Sequence, residues 1–199
     1  MANVSRPCGL RPINQPFGNI RCNYYEAATG TAFYMFQPVD LDANGRVVVA
    51  TASDATLILG SIVGMADDAF GPPDDAYSGY TPANPASVNS AGLVNLLIAD
   101  DPDQLFLIEE ETGGGSQLTA TNVGNGASFT YTATTGNSMN GRSNACLDAS
   151  TVATSTTQTL RLIKKLDKPD NAYGAYCKWV VKINRHRLSG MNLIAGNLI

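Results

Sequence analysis

Apolar residues in this sequence fall into short runs separated by Gly, Pro, Asp and Asn, and several runs alternate with polar residues at a spacing of two. That period marks strands, whose successive side chains point to opposite faces. In residues 178–184, Trp179, Val181 and Ile183 fall on one side and Lys178, Val180 and Lys182 on the other. Over 128–133, Phe129 and Tyr131 alternate with small polar residues, as in a half-buried strand. Further strands are predicted over 20–25, 32–36, 46–51 and 159–166. Another apolar run, 57–65, is interrupted by Gly60 and Gly64, which points to a bulge or a close backbone approach.

The punctuation between the runs is as informative. Leu96-Leu97-Ile98 is followed by Asp100-Asp101-Pro102-Asp103 and then by Leu105-Phe106-Leu107-Ile108. Proline fixes φ and removes a donor, and Asp turns back onto its own main chain, so this reads as strand, corner, strand with the corner carboxylates in solvent. The second run is apolar on both faces, as expected of a strand covered on two sides. Asn44-Gly45 predicts a hairpin. Asp40, Asp42, Asn44 and Gly45 also imitate the opening of a calcium loop, but Thr51 stands where a bidentate Glu is needed and a strand follows instead of a helix.

Elsewhere, Glu109-Glu110-Glu111 before Gly113-Gly114-Gly115 reads as a solvated loop, residues 119–124 as a helical turn, and the Thr-, Ser- and Asn-rich stretch 134–157 as loop and edge strand. Pro169 marks a further corner. Residues 69–90, rich in Gly, Pro, Asp, Asn, Ser and Tyr, read as a long surface loop. Its Phe70, Tyr77 and Tyr80 either meet a neighbour or fold back on their own domain. Pro7, Pro12 and Pro16 with Gly9 and Gly18 forbid a helix or central strand and make residues 1–19 an extended arm. Such an arm is disordered or lies along a partner, and Leu10, Ile13 and Phe17 suit the second role.

At 199 residues, a single core with extensions is expected. Only 15% of residues are charged, while Gly, Ala, Thr, Ser and Asn abound, a balance that favours strands and tight turns. The fold class expected is therefore all-β: a compact β-barrel or β-sandwich over residues 20–199, with an extended N-terminal arm and long surface loops. The net charge of −4 conceals a division: five Lys/Arg against fifteen Asp/Glu up to residue 160, net −10, and eight against two from Arg161 onward, net +6. The basic end lacks a stacking aromatic cluster, so a salt-sensitive protein contact fits better than nucleic acid.

Chemistry adds little. Four cysteines without C-x-x-C spacing and one histidine indicate neither zinc nor a dense disulfide framework, and free thiols in a reducing cytoplasm are expected. Neither a nucleophile elbow nor a phosphate loop is present. His186, between Arg185 and Arg187, has no sequence-visible catalytic partner and reads as structural or surface. Carboxylates at 100–103 or 109–111 are the ones a glycan-cleaving enzyme would use, but adjacent strand positions face opposite sides. No enzyme, cofactor or metal is expected. The N-terminus lacks the apolar region of a signal peptide, and no run approaches the length of a membrane span.

Three stretches carry a resemblance: the opening Pro7-Cys8-Gly9-Leu10-Arg11-Pro12; the Ala99-Asp100-Asp101-Pro102 corner with Gln104 and the strand after it; and Leu166-Asp167-Lys168-Pro169-Asp170-Asn171 through Trp179-Val180-Val181-Lys182-Ile183-Asn184 to His186. Together they resemble the capsid decoration, or cement, proteins of tailed bacteriophages. The resemblance implies synthesis in the host cytoplasm and a β-rich domain on the outer surface of the virion head. There it would bind major capsid protein subunits beside neighbouring copies of itself. On that reading the capsid-binding candidates are Arg6, Leu10, Arg11, Ile13 and Phe17 in the arm and Phe70, Tyr77 and Tyr80 in the loop. The alternative is an adhesion or carbohydrate-binding module of a head or tail fibre, with Tyr77, Tyr80 and Trp179 stacking on sugars, although Trp179 reads as core.

Overall fold

A computed structural model describes residues 3–13, 18–28, 31–54, 56–66, 80–81, 95–111, 117–137 and 140–189. The protein is all-β; among the described residues the paired strands are antiparallel, and the isolated bridges between them are parallel. The larger sheet runs in the order β1 (Arg11–Pro12), β9 (Leu105–Glu109), β13 (Lys178–Ile183), β12 (Leu160–Lys165), β10 (Gly126–Asn137), β11 (Arg142–Ala153). Trp179 lies opposite Ile108 and Val181 opposite Phe106, so the alternation seen in the sequence puts all four on the inner face. Beyond β9, Glu110 bridges Leu147 of β11, and the Glu111 amide donates to the Leu147 carbonyl at 3.1 Å. The far edge of the sheet thereby returns towards its start as a half-barrel around Phe106, Phe129, Leu147, Leu162 and Trp179.

The smaller sheet has the order β2 (Cys22–Glu26), β8 (Asn95–Ala99), β6 (Gly60–Ala66), β4 (Pro38–Leu41), β5 (Val47–Val49). Past β2, Ala27 bridges Val47, so the two outer strands meet around a second core of Phe33, Val39, Leu59, Ile62, Leu96 and Ile98. The expected close approach in the 57–65 run is at Gly60, where a Cβ would lie 2.1 Å from the Ala99 carbonyl oxygen. The bulge falls between Ile62 and Gly64. A further short pair, β3 (Phe33–Tyr34) and β7 (Tyr80–Thr81), lies beside these sheets, and a 3₁₀ turn at Ala120–Asn122 occupies the expected helical turn.

The hairpin at Asn44-Gly45 forms, with the Asp42 carboxylate accepting the Asn44 and Arg46 amides at 2.8 and 2.9 Å. Asp40, the first position of the calcium-like pattern, is instead ion-paired with Arg187.

Three readings of polar segments are corrected. The 134–157 stretch holds the expected edge strand, since β11 ends the larger sheet, but less loop than expected: β10 continues to Asn137, and β11 runs on to Ala153 and buries Ala145, Leu147 and Ala149. The Asp100–Asp103 corner turns as expected, but Asp100 is buried. Its carboxylate accepts the Tyr25 hydroxyl at 2.6 Å and the Asn23 amide at 2.8 Å, with Arg21 at 3.5 Å. Burial and this bond push the Tyr25 hydroxyl up to about 12. Glu109 and Glu110 are also fully buried, not loop. Glu110 accepts the Trp179 indole N–H and the Leu118 amide, both at 2.9 Å, which offsets the cost of enclosing a carboxylate.

Candidate functional site

The described part of the N-terminal arm, residues 3–13, lies along the body of its own chain. Gly9, with φ at +65°, turns the chain so that the Leu10 amide donates to the Phe36 carbonyl at 2.7 Å, and a Cβ there would meet that oxygen at 2.3 Å. Leu10 then enters the larger core with no exposed surface. Arg11 and Pro12 add the outermost strand, opposite Leu107 and Phe106. An edge is the place in a sheet that tolerates a proline lacking its N–H. The Ile13 amide donates to the Leu105 carbonyl at 3.0 Å, and its own carbonyl accepts the Gln104 side chain at 2.6 Å.

Two further ties hold the start of the segment. The Arg6 amide donates to both Glu109 carboxylate oxygens, at 2.9 and 3.0 Å. Burial raises the Glu109 pKa, while the Arg6 amide and the charge of Lys178 favour its ionised form. Asn3 is the second tie: its side-chain amide donates to the Ala172 and Ala175 carbonyls at 2.8 and 2.9 Å, and its oxygen accepts the Ala172 amide at 3.1 Å.

The opposite wall is the connection from β12 to β13, built around the buried Asn171. Its amide nitrogen donates to the Leu166 and Lys178 carbonyls at 2.8 and 2.9 Å, and its oxygen accepts the Lys178 amide at 2.8 Å. Tyr176 holds φ at +61°, a left-handed conformation rare for an aromatic residue. Between the walls runs a groove of about 340 Å³, lined by Arg6, Arg11, Lys168 and Lys178 together with Asp170 and Tyr176.

Of the candidates read from the sequence, the structure therefore brings Arg6 and Arg11 together on one exposed surface. Leu10 is withdrawn into the chain's own core, where it cannot touch a partner, and Ile13 is half-buried against Leu105 and Gln104. The backbone of Tyr80 pairs with Tyr34, whereas Phe17, Phe70 and Tyr77 lie outside the described residues. Lys168, Lys178 and Glu109 are not among the capsid-binding candidates read from the sequence. The lysines flank the Pro169 corner, a signal that was visible, but nothing local to Glu109 announces Arg6 as its partner.

Asp100 and His186 make a less open arrangement. His186 is buried, its Nδ1 accepts the Leu188 amide at 3.0 Å, and burial lowers its pKa against the opposing pull of Asp100 and Asp101. No group of His, Cys, Asp and Glu suited to a metal ion occurs among the described residues. No family model, curated protein or solved structure matches this chain.

Proposed function

We propose that this chain is a structural virion protein that docks on the outer surface of a tailed-phage head and cements major capsid protein subunits, with neighbouring copies of itself beside it. The observation that carries the reading is the N-terminal segment. It is stapled to the sheet margin by Asn3, Arg6, Leu10 and Ile13, and so presents Arg6 and Arg11 from a fixed base. A rigid β body with a pre-arranged charged margin loses little conformational freedom on docking. Repeated over a symmetric shell, contacts that are weak one at a time sum to firm attachment, and no reaction is required. The division between an acidic body of sequence and a basic end gives such docking a sign and an orientation.

The test is to assemble heads of the encoding phage without this protein, add it back purified, and image the particles. Ordered density outside the capsid subunits is expected. Bare shells at saturating protein, or density confined to tail fibres, would refute the reading.

A further inference from the structure

We propose that the groove between the N-terminal segment and the 166–178 connection takes an acidic peptide segment of a protein partner. This rests on reading that margin as the docking surface, and names the chemistry it would recognise.

Charge is the first reason. The whole chain carries −4, yet this groove gathers Arg6, Arg11, Lys168 and Lys178 against Asp170 on its lining and Glu109 buried beside it, a local balance of +2. None of the four cations has an ion-pair partner among the described residues, which is true also of Arg142, Arg161, Lys164, Lys165 and Arg185; what sets this groove apart is that four such cations gather on one lining. An excess of cations over carboxylates on an otherwise acidic molecule marks where an external carboxylate gains most.

Rigidity is the second. The Arg11 guanidinium sits 5.8 Å over the Phe36 ring, and Phe36 itself holds φ at +62°. Asn3 fixes one wall to the other and Asn171 fixes the wall that carries Lys168 and Lys178. Backbone in such conformations is kept in place by its surroundings, so the main chain that carries the cations is ordered before anything binds.

Lining chemistry selects the class of ligand. Val4, Leu107 and Leu166 share the lining with the cations, and Tyr176 is the one aromatic lining residue. A polynucleotide strand asks for several stacking faces along a basic track, which this lining lacks. Carboxylates on an extended backbone, with aliphatic stems between them, match both the charged and the apolar parts.

The experiment titrates the intact, isotope-labelled protein with hexaglutamate and follows amide resonances, with hexaglutamine and a short oligothymidylate as parallel probes. At about 0.05 M salt, hexaglutamate should shift Arg6, Arg11, Lys168 and Lys178, and the shifts should fade at about 0.5 M. The double variant R6Q/K168Q should bind at least about tenfold more weakly with unchanged circular dichroism. Shifts centred elsewhere, equal binding of oligothymidylate, or unaltered binding by the variant would overturn the inference. Shell binding separates it from the wider proposal. If wild type and R6Q/K168Q bind shells equally well, the groove is wrong and the cement role stands. If wild type binds hexaglutamate at the groove but no shells, the cement role falls alone.

Discussion

Glu109 receives the main-chain N–H of Arg6 on both of its carboxylate oxygens, at 2.9 and 3.0 Å, across 103 positions of sequence. A side chain in the middle of a sheet thus anchors the backbone of a segment that has few apolar contacts of its own before Leu10. Replacing Glu109 with Ala removes the carboxylate that accepts this amide, a loss of about 1.5–3 kcal/mol for hydrogen bonding to a charged group. Amide hydrogen exchange should accelerate at Arg6 and its neighbours while β12 and β13 keep their protection. Unchanged exchange at Arg6 would contradict the anchoring role.

Leu10 is a core residue despite its place among prolines and glycines. Leu10→Ala is expected to cost about 2–5 kcal/mol in urea unfolding, the range for emptying a packed leucine site. Val4→Ala, at a side chain 66% exposed, should change stability by no more than about 0.5 kcal/mol. It follows that deletion through Pro12 should destabilise the domain, because it removes Leu10 from the larger core.

Gly136 lies beneath the ring of Tyr34, and a Cβ there would come within 2.1 Å of the ring. Gly136→Ala should therefore destabilise by about 1–3 kcal/mol through overpacking. In a Tyr34→Ala background most of that penalty should vanish, because the obstructing ring is gone. A double-mutant cycle with additive costs would show that the glycine serves something other than the ring.

His186 supplies a pH dependence with a definite sign. Its folded pKa is lowered by burial, and its Nδ1 is occupied as an acceptor of the Leu188 amide, so the folded state favours the neutral ring. The unfolded chain takes up a proton below about pH 6.5, before the folded chain does. This contribution to stability is fully present above that value and is lost as pH falls towards the lower folded pKa. His186→Gln should lose less stability than wild type between neutral and mildly acidic pH in thermal unfolding. Equal losses would mean the imidazole does not titrate in this window.

The strands were legible wherever bulky apolar residues alternate, as at Trp179, Val181 and Ile183, because period-two burial is a local signal. β11 was harder to see, since Ala145 and Ala149 fill its inner face and carry almost no hydrophobic contrast against Thr and Ser. Runs of carboxylates misled for a related reason. Three consecutive glutamates look solvated until Trp179 and Leu118 reach Glu110 and Arg6 reaches Glu109, and those donors lie 69, 8 and 103 positions away. Within the groove, Arg6 and Arg11 were foreseeable as exposed cations of the opening segment. That Lys168 and Lys178 face them depends on Asn3 and Asn171, two polar residues whose neighbours in sequence give no hint of the contacts they make.

In the larger sheet β9 stands between β1 and β13, so residues 105–109 have residues 11–12 on one side and 178–183 on the other. During synthesis the middle partner must wait, one flank supplied early and the other withheld until the chain beyond residue 183 has cleared the ribosome. Such long-range closure makes for slow maturation, with an apolar ribbon at 105–108 open to mispairing meanwhile.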